Sequence, residues 1–233
     1  MGIKQSATFK DFKSLAKSYK IEINNNQLML FGRYHEILIE WNKKINLISR
    51  KGEDSIIEKH FLDSILFLPE IENLCTGVLQ YTRTIFDIGS GGGFPAIPLS
   101  IMKPEWEFIL CESITKKANF LTHLVKELGL EKQIEIINDR VESIASKGRF
   151  KTCLNKTEYD LVTARAIAKL DKLIKYALPI LKKGGYLIAY KAKGIDDEIK
   201  NAEELIKKNN LELKIFSKEL NGVERKLVII QFM

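Results

Sequence analysis

Cysteine is scarce in this chain, with only Cys75, Cys111 and Cys153 among 233 residues. They lie far apart and make no C-x-x-C pair, which argues against both a disulfide framework and a cysteine-rich zinc site. Histidine is equally rare, and His35, His60 and His123 show no spacing that would build a metal centre. No apolar run approaches the roughly 20 residues a membrane span needs, and the opening MGIKQSATFKDFKSLAKSYK is too polar for the apolar core of a signal peptide. The expectation is a cytoplasmic protein with no membrane partner. Internal repeats and low-complexity stretches are also missing, so solenoid and disordered architectures drop out.

What the chain does contain is an ordinary globular composition, 45% hydrophobic and 29% charged. Its length suits one domain with an extension. Charge is unbalanced, because 37 Lys and Arg against 30 Asp and Glu leave a formal +7. Such an excess favours a polyanionic partner, although a solvated lysine-rich surface has the same composition.

Residues 1–80 read as an N-terminal helical extension. SATFKDFKSLAKSYK is followed by NQLMLFGRYHEILIEWNKKI, where Leu28, Phe31, His35, Leu38 and Asn42 recur at helical spacing. A third helix fits DSIIEKHFLDSILFL, with Ile57, Phe61, Ile65 and Leu68 on one stripe and Pro69 as its stop. From residue 81 to 233 the pattern changes. The runs TIFDIG, WEFILCE, QIEIIND, YDLVTA and GYLIAY alternate with amphipathic segments at Ile97–Met102, Thr115–Leu128, Val141–Lys147 and Lys169–Leu181. That alternation predicts an α/β, doubly wound, Rossmann-like parallel sheet. The last helix is expected to end at Gly184, and Asn221-Gly222 between LELKIFSKEL and RKLVIIQFM predicts a C-terminal antiparallel hairpin.

The stretch FDIGSGGGFPAIP, Phe86 to Pro98, concentrates four glycines and two prolines behind the first strand. A strand, a glycine turn and a proline-opened helix expose backbone N–H groups at the carboxyl edge of a sheet, where ligands of such folds bind. Two cofactor classes compete. The dinucleotide fingerprint G-x-G-x-x-G fails, since its third glycine would fall on Phe94 or Ala96 depending on the starting glycine. Asp87, two residues before Gly89, suits a cationic amine or sulfonium better than a pyrophosphate, which favours S-adenosylmethionine over a nicotinamide dinucleotide. Glu112, at the end of the second strand, can accept both ribose hydroxyls in either class. Asp139 to Glu142 follow the third strand, where an adenine could lie.

These motifs resemble the RsmG family, also called GidB, the ribosomal RNA small-subunit methyltransferase G family. The resemblance runs from about Leu28 to the C-terminus and rests on DIGSGGGFPAIPLSI, EWNKKINLIS, KHFLDSILF, CESITKKANFL, RVES, ARAIAKLDKL, YKAKG and ERKLVII. Ala96, where many relatives carry glycine, and a longer ASKGRFKTCLNKTEYD segment depart from it. The resemblance implies a class I S-adenosylmethionine-dependent methyltransferase sheet, and methyl transfer to guanine N7 of 16S ribosomal RNA, free or in the small ribosomal subunit. It also implies that Gly89 and Phe94 line the cofactor, Val141 and Glu142 its adenine, and Arg165 the far end of the site. The residue-by-residue reading adds Asp87, Gly91 and Glu112.

TARAIA after the fourth strand carries neither the N-P-P-aromatic motif of amino-group methylases nor a nucleophilic cysteine. His60 and Asp63 lie one helical turn apart and are weak catalytic candidates, with domain docking as the competing role. Trp41, beside Asn42 and Asn46, reads as packing the helical part onto the sheet. Lys191, Lys193 and Arg225 are candidate RNA phosphate contacts. A monomer is expected. The alternatives are a nicotinamide-dependent oxidoreductase and a non-enzymatic RNA-binding protein that keeps a nucleoside pocket.

Overall fold

The computed structural model describes residues 3–49, 55–74, 83–146, 158–191 and 194–233. Seven strands form one sheet: β1 (Thr84–Ile88), β2 (Glu107–Cys111), β3 (Ile134–Ile137), β4 (Tyr159–Arg165), β5 (Leu181–Lys191), β6 (Leu211–Leu220) and β7 (Val223–Phe232). Their order is β3-β2-β1-β4-β5-β7-β6, with β1 to β5 parallel and β7 antiparallel to both neighbours. The order reverses between β1 and β4, and it is at such a switch that a crevice opens beyond the strand ends. Asn221 and Gly222, at φ 51° and 71°, make the expected tight turn between β6 and β7.

Strand alternation divides the core. Ile85, Phe108, Leu110, Leu161, Ile188 and Ile229 face one side, together with α1 (Ile3–Ser18), α2 (Asn25–Asn42), α5 (Ala96–Met102) and α6 (Thr115–Glu127). Phe86, Ile88, Val162, Leu187 and Val228 face the other, against α7 (Val141–Ser146), α8 (Leu170–Ala177) and α9 (Asp196–Lys208). The helical extension therefore shares one apolar core with the sheet: Phe12, Phe31 and Phe61 are buried beside Ile97 and Leu110. The expected boundary near residue 80 falls outside the described residues, as does the segment from Lys147 to Thr157.

Three expectations need correction. The third helix is a π-helical run, Ile57–Leu62, continuing into α3 (Asp63–Ile65), and Pro69 opens α4 (Leu68–Asn73) instead of ending the helical part. Proline at a first helical turn sacrifices no hydrogen bond, which is why it starts a helix as readily as it stops one. The helix expected to reach Leu181 ends at Ala177, before Pro179, and β5 begins at Leu181. Finally, α9 carries a stripe of Ile199, Ala202, Leu205 and Ile206 that the sequence reading passed over. No helix among the described residues is long and apolar enough to cross a membrane.

Candidate functional site

The glycine loop follows β1 and owes its residues to crowding. A Cβ on Gly93 would lie 2.6 Å from Tyr34 Oη and 2.8 Å from Ile97 Cγ1, both buried, so only hydrogen fits there, while one on Gly89, at φ +67°, would push aside the exposed Ile167 side chain. Gly91, at φ +55°, has nothing nearer its missing Cβ than the Gly89 carbonyl at 3.8 Å. It borders a cleft of about 340 Å³ at the strand ends, lined by Gly89, Glu112, Ile114, Val141, Glu142 and Tyr176 among others. Glu112 is buried there and held in place. Its Oε2 accepts from Gly91 N at 2.8 Å and its Oε1 from Ile114 N at 2.8 Å. Glu142 accepts a 2.6 Å bond from Tyr176 Oη, which holds its carboxyl below the usual range and pushes the phenol up to about 12.

Asp87 is fully buried at the end of β1 and is not on the cleft wall. Thr163 Oγ1 donates to its Oδ1 at 2.6 Å, while Oδ2 has no hydrogen-bond partner. Burial pushes this carboxyl up to about 7, against the opposing pull of the Thr163 and Ser90 hydrogen bonds. Cys111 borders the cleft with its thiol pushed up to about 12 by burial, which makes it an inert packing group.

Two expected cofactor residues lie elsewhere. Phe94 turns its ring away from the cleft and stacks between His60 (4.8 Å) and Tyr34 (5.5 Å), with the Arg165 guanidinium 5.7 Å from the ring centre. The apolar ring gains more in that aromatic cluster than at a polar cleft edge. Arg165 lines a second cavity of about 590 Å³ instead. Its Nη2 lies 3.0 Å from Asp63 Oδ2, while Arg225 Nε donates to Asp63 Oδ1 at 2.6 Å. Asp63 thus clamps two arginines from β4 and β7 to the helical part. His60 Nδ1 lies 3.4 Å from Arg165 Nη2, and burial and that cation lower its pKa to about 4.

The candidate RNA contacts divide similarly. Arg225 borders the second cavity. Lys191 lines the same cavity but is tied inward, donating to Glu198 Oε2 at 2.6 Å and the Ala168 carbonyl at 2.8 Å, and Lys193 is outside the described residues. Trp41 packs on Phe120 and His123, centroids 5.6 and 5.4 Å away. Among the described residues no group of three metal-ligating side chains occurs. The sequence reading missed Ile167, which lines both cavities and follows Ala166 at φ +56°. No spacing rule marks a residue whose role is set by a single backbone turn.

Comparison with known proteins decides the family. The family described as "GidB: rRNA small subunit methyltransferase G" matches residues 27–228. The chain belongs to the rRNA small subunit methyltransferase G family. A relative carrying that name in Staphylococcus epidermidis is 39% identical over 213 residues, 90% of this chain and 84% of the relative. Another in Desulforamulus reducens is 38% identical over 194 residues, 83% and 76%. Among solved structures, an O-methyltransferase from Bacillus cereus in complex with SAH covers 95% of this chain and 96% of its own, with TM-score 0.59 at 13% identity. That likeness is one of fold. Family membership and methyltransferase neighbours leave the oxidoreductase alternative without support.

Proposed function

We propose that this chain transfers a methyl group from S-adenosylmethionine to N7 of a guanine in small-subunit ribosomal RNA. The observation that carries this reading is the meeting of two cavities at the carboxyl ends of the strands, where both share Ile167 and Ala168. Adjoining pockets, the first carrying Glu112 and the second a surplus of cations that includes Arg165 and Arg225, suit direct transfer between a nucleoside cofactor and an anionic acceptor. The Asp87 carboxyl, buried behind the cleft wall with Oδ2 unpartnered, sorts the cofactor by charge, since a nearby ammonium offsets a buried negative charge where a pyrophosphate would not.

The residues present fit that cofactor. Gly91 leaves room for it, Glu112 is fixed by two backbone donors with lone pairs left for a ribose diol, and Ile114 and Val141 offer an apolar wall to adenine. When bound, the cofactor supplies an electrophilic methyl carbon on a sulfonium. Guanine N7 has an unprotonated lone pair, so the N7–carbon bond forms as the carbon–sulfur bond breaks and no proton must leave. The protein then needs no general base. Its contribution is alignment, which alone lowers a barrier by about 7 to 11 kcal/mol. Calorimetric binding of S-adenosylhomocysteine without binding of NADH supports this reading. The reverse result would remove it.

A further inference from the structure

The second cavity holds two carboxylates with different commitments. Both oxygens of Asp63 are occupied, one by Arg165 and one by Arg225. Glu198, in the first turn of α9, uses only Oε2, which accepts from Leu170 N at 2.9 Å and from Lys191 Nζ at 2.6 Å. Among the described residues no partner meets its Oε1, and the residue lines the cavity. A carboxylate fixed at one oxygen and free at the other is a rigid acceptor. Lys191, with only 13% of its side chain exposed, is held beside it.

We propose that this cavity is the acceptor pocket and that Glu198 reads the base as guanine, its Oε1 accepting from N1–H and the N2 amino group. The proposal rests on the methyl-transfer reading above and adds how the base is chosen. Guanine alone among the four RNA bases presents two adjacent donors on its pairing edge. Adenine and cytosine place a ring acceptor there, which a carboxylate repels, and uracil flanks its single donor with two carbonyls. N7 lies on the opposite edge, so a base held at N1 and N2 keeps its nucleophile free. The same cavity offers Arg225, whose Nε is spent on Asp63 and whose terminal nitrogens meet no partner among the described residues, as a donor pair for the nucleotide's phosphate.

The test uses the full chain saturated with S-adenosylhomocysteine, titrated with guanosine, inosine and adenosine monophosphates by ligand-observed NMR. Guanosine monophosphate should bind about tenfold or more tightly than adenosine monophosphate, as expected for a two-donor contact, with the inosine nucleotide between them because it lacks the N2 amino group. Glu198→Gln keeps the volume and an acceptor for Leu170 N. It should bring the guanosine nucleotide to the affinity of the adenosine one and leave S-adenosylhomocysteine affinity unchanged. Glu203→Gln on the same helix, which removes only a surface pair with Lys207, should keep the preference. Equal binding of all three nucleotides by the wild type, with the cofactor product bound normally, overturns this proposal alone, as does a preserved preference in Glu198→Gln. Failure to bind S-adenosylhomocysteine overturns the methyl-transfer reading and this proposal with it. The inosine comparison needs no variant, so it decides the matter even where Glu198→Gln does not fold.

Discussion

Thr163 Oγ1 lies 2.6 Å from Asp87 Oδ1 across the β1–β4 pair, and it leaves the other oxygen of this buried carboxyl without a donor. That arrangement gives the protein a built-in pH dependence. Burial raises Asp87 from 3.8 to about 7, so the folded chain holds this proton more tightly than the unfolded one. The stability from this group is full below about pH 4, falls as pH rises through 7, and is flat above it. Asp87→Asn should flatten that slope and raise the melting temperature of the free protein at pH 8, while weakening S-adenosylmethionine by about tenfold through loss of a negative charge behind the cleft wall. In the wild type, the thermal shift caused by the cofactor should be larger at pH 8 than at pH 6. A shift independent of pH, unaltered by Asp87→Asn, would disconnect this carboxyl from the ligand.

Gly91 and Gly93 both have positive φ but differ in the space around them. Gly91→Val should abolish cofactor binding by filling the cleft, and its β-branched side chain at φ +55° should cost stability through backbone strain alone. Gly93→Ala should drive a methyl group against Tyr34, whose hydroxyl also donates to the Gly92 carbonyl, and lower the melting temperature by about 5 °C. Differential scanning calorimetry and cofactor titration of the two variants separate these effects. The same stability loss in both would mean that backbone strain, and not the neighbours, decides.

His60 is neutral across the physiological range, with its pKa lowered to about 4. Single-turnover methylation at saturating cofactor and RNA should therefore be nearly flat between about pH 6 and 8, the range in which an unperturbed histidine titrates. His60→Ala removes the ring stacked on Phe94 and should act on stability and RNA affinity. A rate rising through a histidine-like midpoint, and flattened in His60→Ala, contradicts a mechanism by alignment alone.

Much of this architecture is legible in the chain because its signals are local. Alternating apolar runs mark β1 to β5, Asn221-Gly222 marks the hairpin, and the glycine loop marks the strand end where the cleft opens. Other features depend on partners distant in sequence. The family resemblance implies Phe94 as a cofactor residue, yet Tyr34 and His60 from the helical part draw its ring inward. Lys191 reads as a surface cation, and only the docking of α9 shows that Glu198 claims it. The α9 stripe was readable from the spacing of Ile199, Ala202, Leu205 and Ile206, although only Ala202 is fully buried and charged residues dominate the helix. Asp63, by contrast, has its place in the arginine clamp through a contact 162 residues away.

The division among the basic residues predicts how RNA binding depends on salt. Lys169 is exposed on the rim of the second cavity, whereas Lys191 is committed to Glu198. Lys169→Gln should reduce the slope of log affinity against log salt by about 0.7 to 0.9, the change expected for one lost phosphate contact. Lys191→Met should instead lower the melting temperature and leave the slope near its wild-type value. Filter binding over a salt series distinguishes them, and exchanged outcomes would put Lys191 on the RNA.

The most direct test of the central claim is nucleoside mass spectrometry of small-subunit ribosomal RNA from otherwise identical cells with and without this protein. Methyl transfer to guanine N7 predicts that one 7-methylguanosine per subunit RNA is lost when the protein is absent, restored by the wild-type chain, and not restored by Gly91→Val. An unchanged 7-methylguanosine content, or the loss of a different methylated nucleoside, would contradict the account.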